Sequence, residues 1–203
     1  MKIAVIGAGA MGCFYAACLS PLTEVWLISR WQEQVNAIRN NGLTLIRDTG
    51  KHVNVQVQAT TKPQTYRQQF DLALIAVKTP DTIRASKLAQ LLLKPDGLAL
   101  SLQNGLGNLE KMTQYLSADQ VAQGVTANGV TLLKPGIIRQ AGEGPTYFAT
   151  QPKTMQTLTT LANYFNQAGL ETYLTQNLDS LVWGKLIINV GLNAITAILR
   201  IPT

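Results

Sequence analysis

The stretch Lys2-Ile3-Ala4-Val5-Ile6-Gly7-Ala8-Gly9-Ala10-Met11-Gly12 decides how the rest of the chain is read. Its opening is an apolar, largely β-branched run of strand character, and residues 10–19 have helix character. Between the two sits a G-x-G-x-x-G pattern. The first glycine suits a tight turn, the second lets the main chain approach a pyrophosphate, and the third lets helix and strand pack closely. The helix start presents unpaired N–H groups and partial positive charge to phosphate. A second strand pattern, Glu24-Val25-Trp26-Leu27-Ile28, completes a βαβ unit. The stretch therefore predicts a dinucleotide-binding turn made by Gly7, Ala8, Gly9, Ala10, Met11 and Gly12.

The end of the second strand bears on the choice of cofactor. An NAD site usually places Asp or Glu there, bonded to the ribose 2′-hydroxyl. This strand ends Ile28-Ser29-Arg30-Trp31, with no acid. Arg30 can fork onto a 2′-phosphate, Ser29 can add a hydroxyl, and Trp31 can flank adenine, which favours NADP(H) over NAD(H). A solvated loop arginine is the alternative. Lys78 and Asn104 end two further strand patterns, and ligands in open α/β sheets sit beyond the carboxyl ends of strands. A solvated lysine and a plain Asn-Gly turn would explain the same two residues.

Strand and helix patterns alternate through most of the chain. Residues 32–40 read as a helix closed by Asn41-Gly42, and 43–47 with 53–58 as a hairpin around Asp48-Thr49-Gly50. Residues 72–77 form an uninterrupted apolar run, as in a strand buried on both faces. Thr79-Pro80 reads as a cap and first helical residue of a helix reaching 93, and Lys94-Pro95-Asp96-Gly97 as a turn. Residues 98–102 suggest a buried strand and 109–116 a helix. A second hairpin follows over 130–140, then a helix over 152–168 and a strand over 170–174. From about residue 179 one long helix runs to 199, capped by Asp179 or Ser180 and stopped by Pro202. The predicted fold class is α/β: a Rossmann-like doubly wound sheet over residues 1–176, plus the first helix of an all-helical second domain over 177–203.

Composition narrows the function classes. Of 203 residues, 46% are hydrophobic and 14% charged, which excludes a disordered chain or a coiled coil. The net charge of +6 comes from scattered lysines and arginines, so no nucleic-acid partner is expected, while a small anionic ligand suits the excess. Cys13 and Cys18 sit too far apart on one helix for a disulfide, and the single histidine, His52, has no ligand neighbour at metal spacing. A reducing, cytoplasmic setting without structural metal follows. The glycines at 7, 9 and 12 interrupt the N-terminal apolar run, which argues against a signal peptide, and the uncharged run over 186–199 reads as too short to span a membrane.

The last helix carries the second informative pattern. Lys185, Asn189 and Asn193 fall at i, i+4 and i+8 on one face of an otherwise apolar segment. A polar ligand in a cleft would satisfy them; an exposed stripe on an amphipathic helix would give the same spacing. If a ketone is reduced here, Lys185 can stabilise the oxygen as it gains charge and donate the proton, with Asn189 and Asn193 binding substrate.

Taken together, these motifs resemble the ketopantoate reductase (2-dehydropantoate 2-reductase) family, within the 6-phosphogluconate-dehydrogenase-like group. The resemblance runs along all 203 residues. It rests on Gly7-x-Gly9-x-x-Gly12, Arg30, Val77-Lys78, Gln103-Asn104-Gly105-Leu106-Gly107, Gly124-Val125-Thr126, and Trp183-x-Lys185-Leu186-x-x-Asn189-x-x-x-Asn193-x-x-Thr196-Ala197. It implies NADPH-dependent reduction of 2-dehydropantoate to (R)-pantoate in pantothenate and coenzyme A synthesis. Lys185 then matches the catalytic lysine, and Asn189 and Asn193 match substrate-binding asparagines. Asn104 matches a residue touching both substrate and cofactor, Arg30 and Lys78 match cofactor contacts, and Val130 matches a main-chain cofactor contact. Pro202-Thr203 departs from the Pro-Asn common in the family. The family also continues into a helical domain whose glutamate and serine complete the substrate site, so an incomplete form is expected, one that binds NADPH but turns over ketopantoate poorly or not at all. An exposed face on the last helix would offer a route to homo-oligomers. The competing functions are a related reductase of another 2-oxo or β-hydroxy acid, and a non-catalytic NADP-binding module.

Overall fold

The computed structural model describes residues 1–201; the side chains of residues 178, 179, 188, 192 and 193 fall outside that description, as do residues 202 and 203. The first unit forms as its sequence pattern predicts: β1 (Lys2–Ile6), α1 (Ala10–Leu19) and β2 (Glu24–Ile28). After α2 (Gln32–Asn41), Gly42 takes a φ of 75° and ends the helix. The chain then makes β3 (Leu43–Ile46), β4 (His52–Val55) and β5 (Gln58–Thr60). Next come β6 (Phe70–Ile75), α3 (Thr82–Leu92), β7 (Leu93–Ser101) and α4 (Asn108–Met112). The remainder is β8 (Val121–Thr126), β9 (Gly129–Lys134), β10 (Ile137–Gly142), β11 (Thr146–Ala149), α5 (Met155–Gln167), β12 (Thr172–Thr175) and α6 (Leu178–Leu199).

Eight strands form one sheet in the order β12-β11-β8-β7-β6-β1-β2-β5. All its pairs are parallel except β8 with β11. Strand order reverses about β1, which lies between β2 and β6, and the crevice for a ligand opens at such a reversal. In β1 the alternation serves two cores: Ile3 and Val5 join the larger cluster with α1 and α5, while Ala4 and Ile6 join the cluster beneath α3. Burial on both faces is why the strand carries no polar residue after Lys2.

Several expectations needed correction. The 53–58 segment is not one strand: β4 pairs with β3, while β5 crosses to the edge of the large sheet beside β2. His52, expected in the turn, is the first residue of β4 and pairs with Ile46. The two hairpins join through parallel pairing of β3 with β10, giving a second sheet in the order β4-β3-β10-β9. Thr79-Pro80 opens a 3-10 turn over Thr79–Asp81 instead of the helix, which starts at Thr82 without a side-chain cap. Lys94-Pro95-Asp96-Gly97 stays within β7 as an irregularity, since Phe70 pairs with Leu93 but Leu72 pairs with Leu98. Strands β8 and β11 had no counterpart in the sequence reading. Helix α6 begins after Asn177, earlier than the expected caps; the Asp179 side chain lies outside the described residues. The 186–199 run belongs to a longer helix, and its Ser180–Leu199 portion is long and apolar enough to cross a membrane by length and composition.

Cys13 and Cys18 are free thiols buried in α1. Burial pushes their pKa values up to about 12 and about 11.

Candidate functional site

The glycine turn is built as the chemistry of a phosphate cradle requires. Gly7 adopts φ 112°, and its N–H donates to the Ile28 carbonyl at 2.8 Å. A Cβ on Gly12 would stand 1.8 Å from the Gly7 carbonyl oxygen, so only glycine lets α1 approach the turn this closely. A Cβ on Gly9 would meet nothing within 4 Å. The second glycine therefore faces open space in front of the helix start, and no side chain caps α1. The arrangement fits a dinucleotide pyrophosphate.

Behind the turn, the buried Gln34 holds it in place. Its Nε2 donates to the Ala8 carbonyl at 3.0 Å, and its Oε1 accepts from Gly136 N–H at 2.9 Å. Gln34 thus links the turn to the second sheet. Its Nε2 also lies 3.1 Å from Cys13 Sγ. Nothing in the sequence singled Gln34 out, because all of these partners are distant along the chain.

A cleft of about 640 Å³ opens in front of Gly7 and Gly9. Ser29, Arg30, Trp31 and Lys78, the expected cofactor contacts after β2 and β6, line it. Ala8 and Gly12 are buried, and Ala10 and Met11 are half-buried at the start of α1. The structure adds Asp81, Arg84 and Lys87 to the wall. Four cations and one carboxylate therefore border the cleft, which suits a polyanionic ligand. Val130 lies in β9, packed against the apolar core, and is not among the residues bordering this cleft.

The ends of β6 and β7 are tied by polar contacts that are buried or partly buried. Gln103 Nε2 donates to the Val77 carbonyl at 2.7 Å and to Thr82 Oγ1 at 2.9 Å. The Thr82 hydroxyl donates to Asn108 Oδ1 at 3.2 Å, and Asn108 Nδ2 donates to the Asn104 carbonyl at 3.1 Å. This chain of bonds shapes the loop holding Asn104, while the Asn104 side chain stays exposed. Asn108, fully buried, was missed in the sequence because an Asn after glycine reads as turn chemistry.

Asn104, Lys185 and Asn189 come together beyond that loop. They share a small recess with Gln103 and Val125, and a larger one of about 620 Å³ with Asn128, Pro145 and Tyr147. Lys185 is half-buried and donates to the Thr126 carbonyl, the last residue of β8. Desolvation lowers its pKa below the ordinary lysine value. Asn193 was expected on the same face; its side chain lies outside the described residues. An ammonium beside two amide side chains can bind a carboxylate and donate a proton to an oxygen gaining negative charge.

Residues 3–153 match the family model described as Ketopantoate reductase PanE/ApbA. The chain belongs to the ketopantoate reductase family. It is 33% identical over 202 residues to the 2-dehydropantoate 2-reductase of Pyrococcus abyssi, covering 99% of this chain and 65% of that protein. The chain thus spans about 65% of the length of the curated relatives it matches. The crystal structure of 2-dehydropantoate 2-reductase from Geobacter metallireducens superposes with a TM-score of 0.89 at 29% identity, covering 98% of this chain and 66% of the other. D-mandelate dehydrogenase, solved with NADH and anilino(oxo)acetate, gives the same TM-score at 26% identity, covering 98% and 65%. Members of the family share a dinucleotide-binding oxidoreductase fold, and the strand order and glycine turn here are of that kind.

Proposed function

We propose that the chain carries the cofactor half, and the lysine side of the substrate site, of an NADPH-dependent reductase converting 2-dehydropantoate to (R)-pantoate. The observation that carries this reading is the gathering of Asn104, Lys185 and Asn189 past the carboxyl edge of the same sheet whose glycine turn faces the cleft. The bound cofactor supplies the hydride. Gly7, Gly9 and the first turn of α1 seat its phosphates, and Arg30, with Ser29, takes the 2′-phosphate. Lys78 borders the cofactor cleft, and Asn104 meets cofactor and substrate. Lys185 donates the proton to the carbonyl oxygen, and Asn189 and Asn193 orient the keto acid. The alternating units of residues 1–176 form the cofactor domain, and α6 begins the substrate-binding part.

The D-mandelate dehydrogenase likeness favours a second reading, a reductase of another 2-oxo acid on the same site. NADPH consumption with a panel of 2-oxo acids separates the two. The proposal expects ketopantoate to be the preferred acid and its reduction to require Lys185. With the complete protein, preference for an aromatic 2-oxo acid would favour the second reading, and NADPH binding with no loss of function in Lys185→Ala would favour a binding module.

A further inference from the structure

Asp81 receives two arginines on a single carboxylate oxygen. Arg30 Nη2 lies 3.5 Å from its Oδ1, and Arg84 approaches the same atom with Nη2 at 3.1 Å and Nε at 3.2 Å. Arg30 comes from the loop after β2, whereas Asp81 and Arg84 come from the turn and helix after β6. The cluster therefore bridges the two strands that flank β1, directly across the crevice faced by Gly7 and Gly9. Lys87, the neighbouring cation, has its Nζ 5.0 Å from the Tyr115 ring centroid and is engaged there.

The side chains of Arg30, Asp81 and Arg84 are 71%, 43% and 43% exposed. Ion pairs this solvated hold weakly. A phosphate monoester carries up to two charges and three acceptor oxygens, and an arginine fork binds it more strongly than a half-solvated carboxylate. One oxygen already draws both guanidinium groups together, so a tetrahedral anion entering between them can take both.

We propose that Arg84 is a second anchor for the ribose 2′-phosphate of the cofactor, kept beside Arg30 by Asp81 until the phosphate replaces the carboxylate. This rests on the reading of the cleft as an NADP(H) site. It assigns Asp81 a part in cofactor choice: its carboxylate competes with the 2′-phosphate for both arginines and leaves NAD(H), which lacks that group, unopposed.

Calorimetric titration of the full chain with NADP+ and with NAD+ tests this without any turnover. Arg84→Gln should weaken NADP+ about 10-fold and change NAD+ by less than about 2-fold, as loss of one charged hydrogen-bond set on one ligand alone. Arg84→Lys, which keeps the charge and loses the fork, should fall between. Asp81→Asn should tighten NADP+ by about 2- to 5-fold, the scale of one exposed ion pair. Equal weakening of both ligands by Arg84→Gln, or no weakening of NADP+, overturns the assignment and leaves Arg84 an ordinary helix-surface partner of Asp81. Arg30→Ala separates this failure from that of the underlying reading. If Arg30→Ala removes the preference for NADP+ and Arg84→Gln does not, only the second anchor fails. If the unaltered chain binds both dinucleotides equally, the 2′-phosphate reading fails and the inference falls with it.

Discussion

The Lys185 ammonium donates to the main-chain carbonyl of Thr126, joining α6 to the carboxyl end of β8. Because β8 runs parallel to β7, that end lies on the same edge of the sheet as the Asn104 loop. The bond holds the amine half out of water, beside recesses that Lys185 shares with Asn104 and Asn189. Desolvation disfavours its charged form and lowers its pKa.

In the complete protein, Lys185→Ala should reduce the rate of keto acid reduction by about 10²–10⁴, the usual contribution of a positioned general acid, with NADPH affinity unchanged. The lowered pKa also fixes the sign of two pH effects. A general acid works while protonated, so activity should fall with rising pH at a midpoint below that of an ordinary lysine. The unfolded chain binds the proton more tightly than the folded one, so Lys185 contributes a gain in stability as pH rises between its folded and unfolded pKa values. Rate profiles and thermal melts across the alkaline range check both signs.

Gly9 and Gly12 should respond in opposite ways to the same substitution. Gly12→Ala forces a Cβ onto the Gly7 carbonyl oxygen and should destabilise the fold by about 1–3 kcal/mol or more. Gly9→Ala places its methyl in open space and should leave the melting temperature within the small range of surface changes. It should nevertheless weaken NADP+ binding, since that space is where the pyrophosphate must approach. Thermal denaturation paired with dinucleotide titration separates the two effects.

Gln34→Leu keeps the volume at a fully buried position and removes the bonds to Ala8 and Gly136. The orphaned backbone groups should cost about 1–3 kcal/mol. The glycine turn loses its brace in the process, so NADP+ affinity should fall as well. Chemical denaturation and titration of this variant measure each consequence.

Helix α6 exposes Ile187 and Ile198 at 68% and 79%. Exposed apolar faces favour association, so the Ile187→Lys/Ile198→Lys variant should shift the chain toward monomer at high concentration. Sedimentation velocity at several concentrations compares the two; identical profiles would remove self-association through this face.

What could be read from the sequence was local. The turn from Gly7 to Gly12 and its flanking elements were legible because each rests on adjacent residues and one periodicity. The Lys185 helix was legible because a polar stripe stands out on an apolar segment. The second sheet was not, since β3 and β10 pair residues as distant as Thr44 and Ile137 and neither strand encodes its partner. Strand β8 hid behind Gly124, which reads as a breaker; a Cβ there would stand 2.5 Å from the Tyr147 carbonyl oxygen, so the close pairing with β11 requires glycine. The Arg30–Asp81–Arg84 cluster is likewise a tertiary feature, with the partners of Arg30 far along the chain. Acid-free at the end of β2, the site acquires its carboxylate from the turn before α3.

The most direct measurement is a crystal structure of the chain with NADP+ and ketopantoate. The account predicts the pyrophosphate over Gly9 and the start of α1, the nicotinamide ring beside Asn104, and the keto oxygen at about 2.6–3.2 Å from Lys185 Nζ, within proton-donating reach. A keto acid bound away from Lys185, or a nicotinamide ring outside the space between Asn104 and α6, would contradict it.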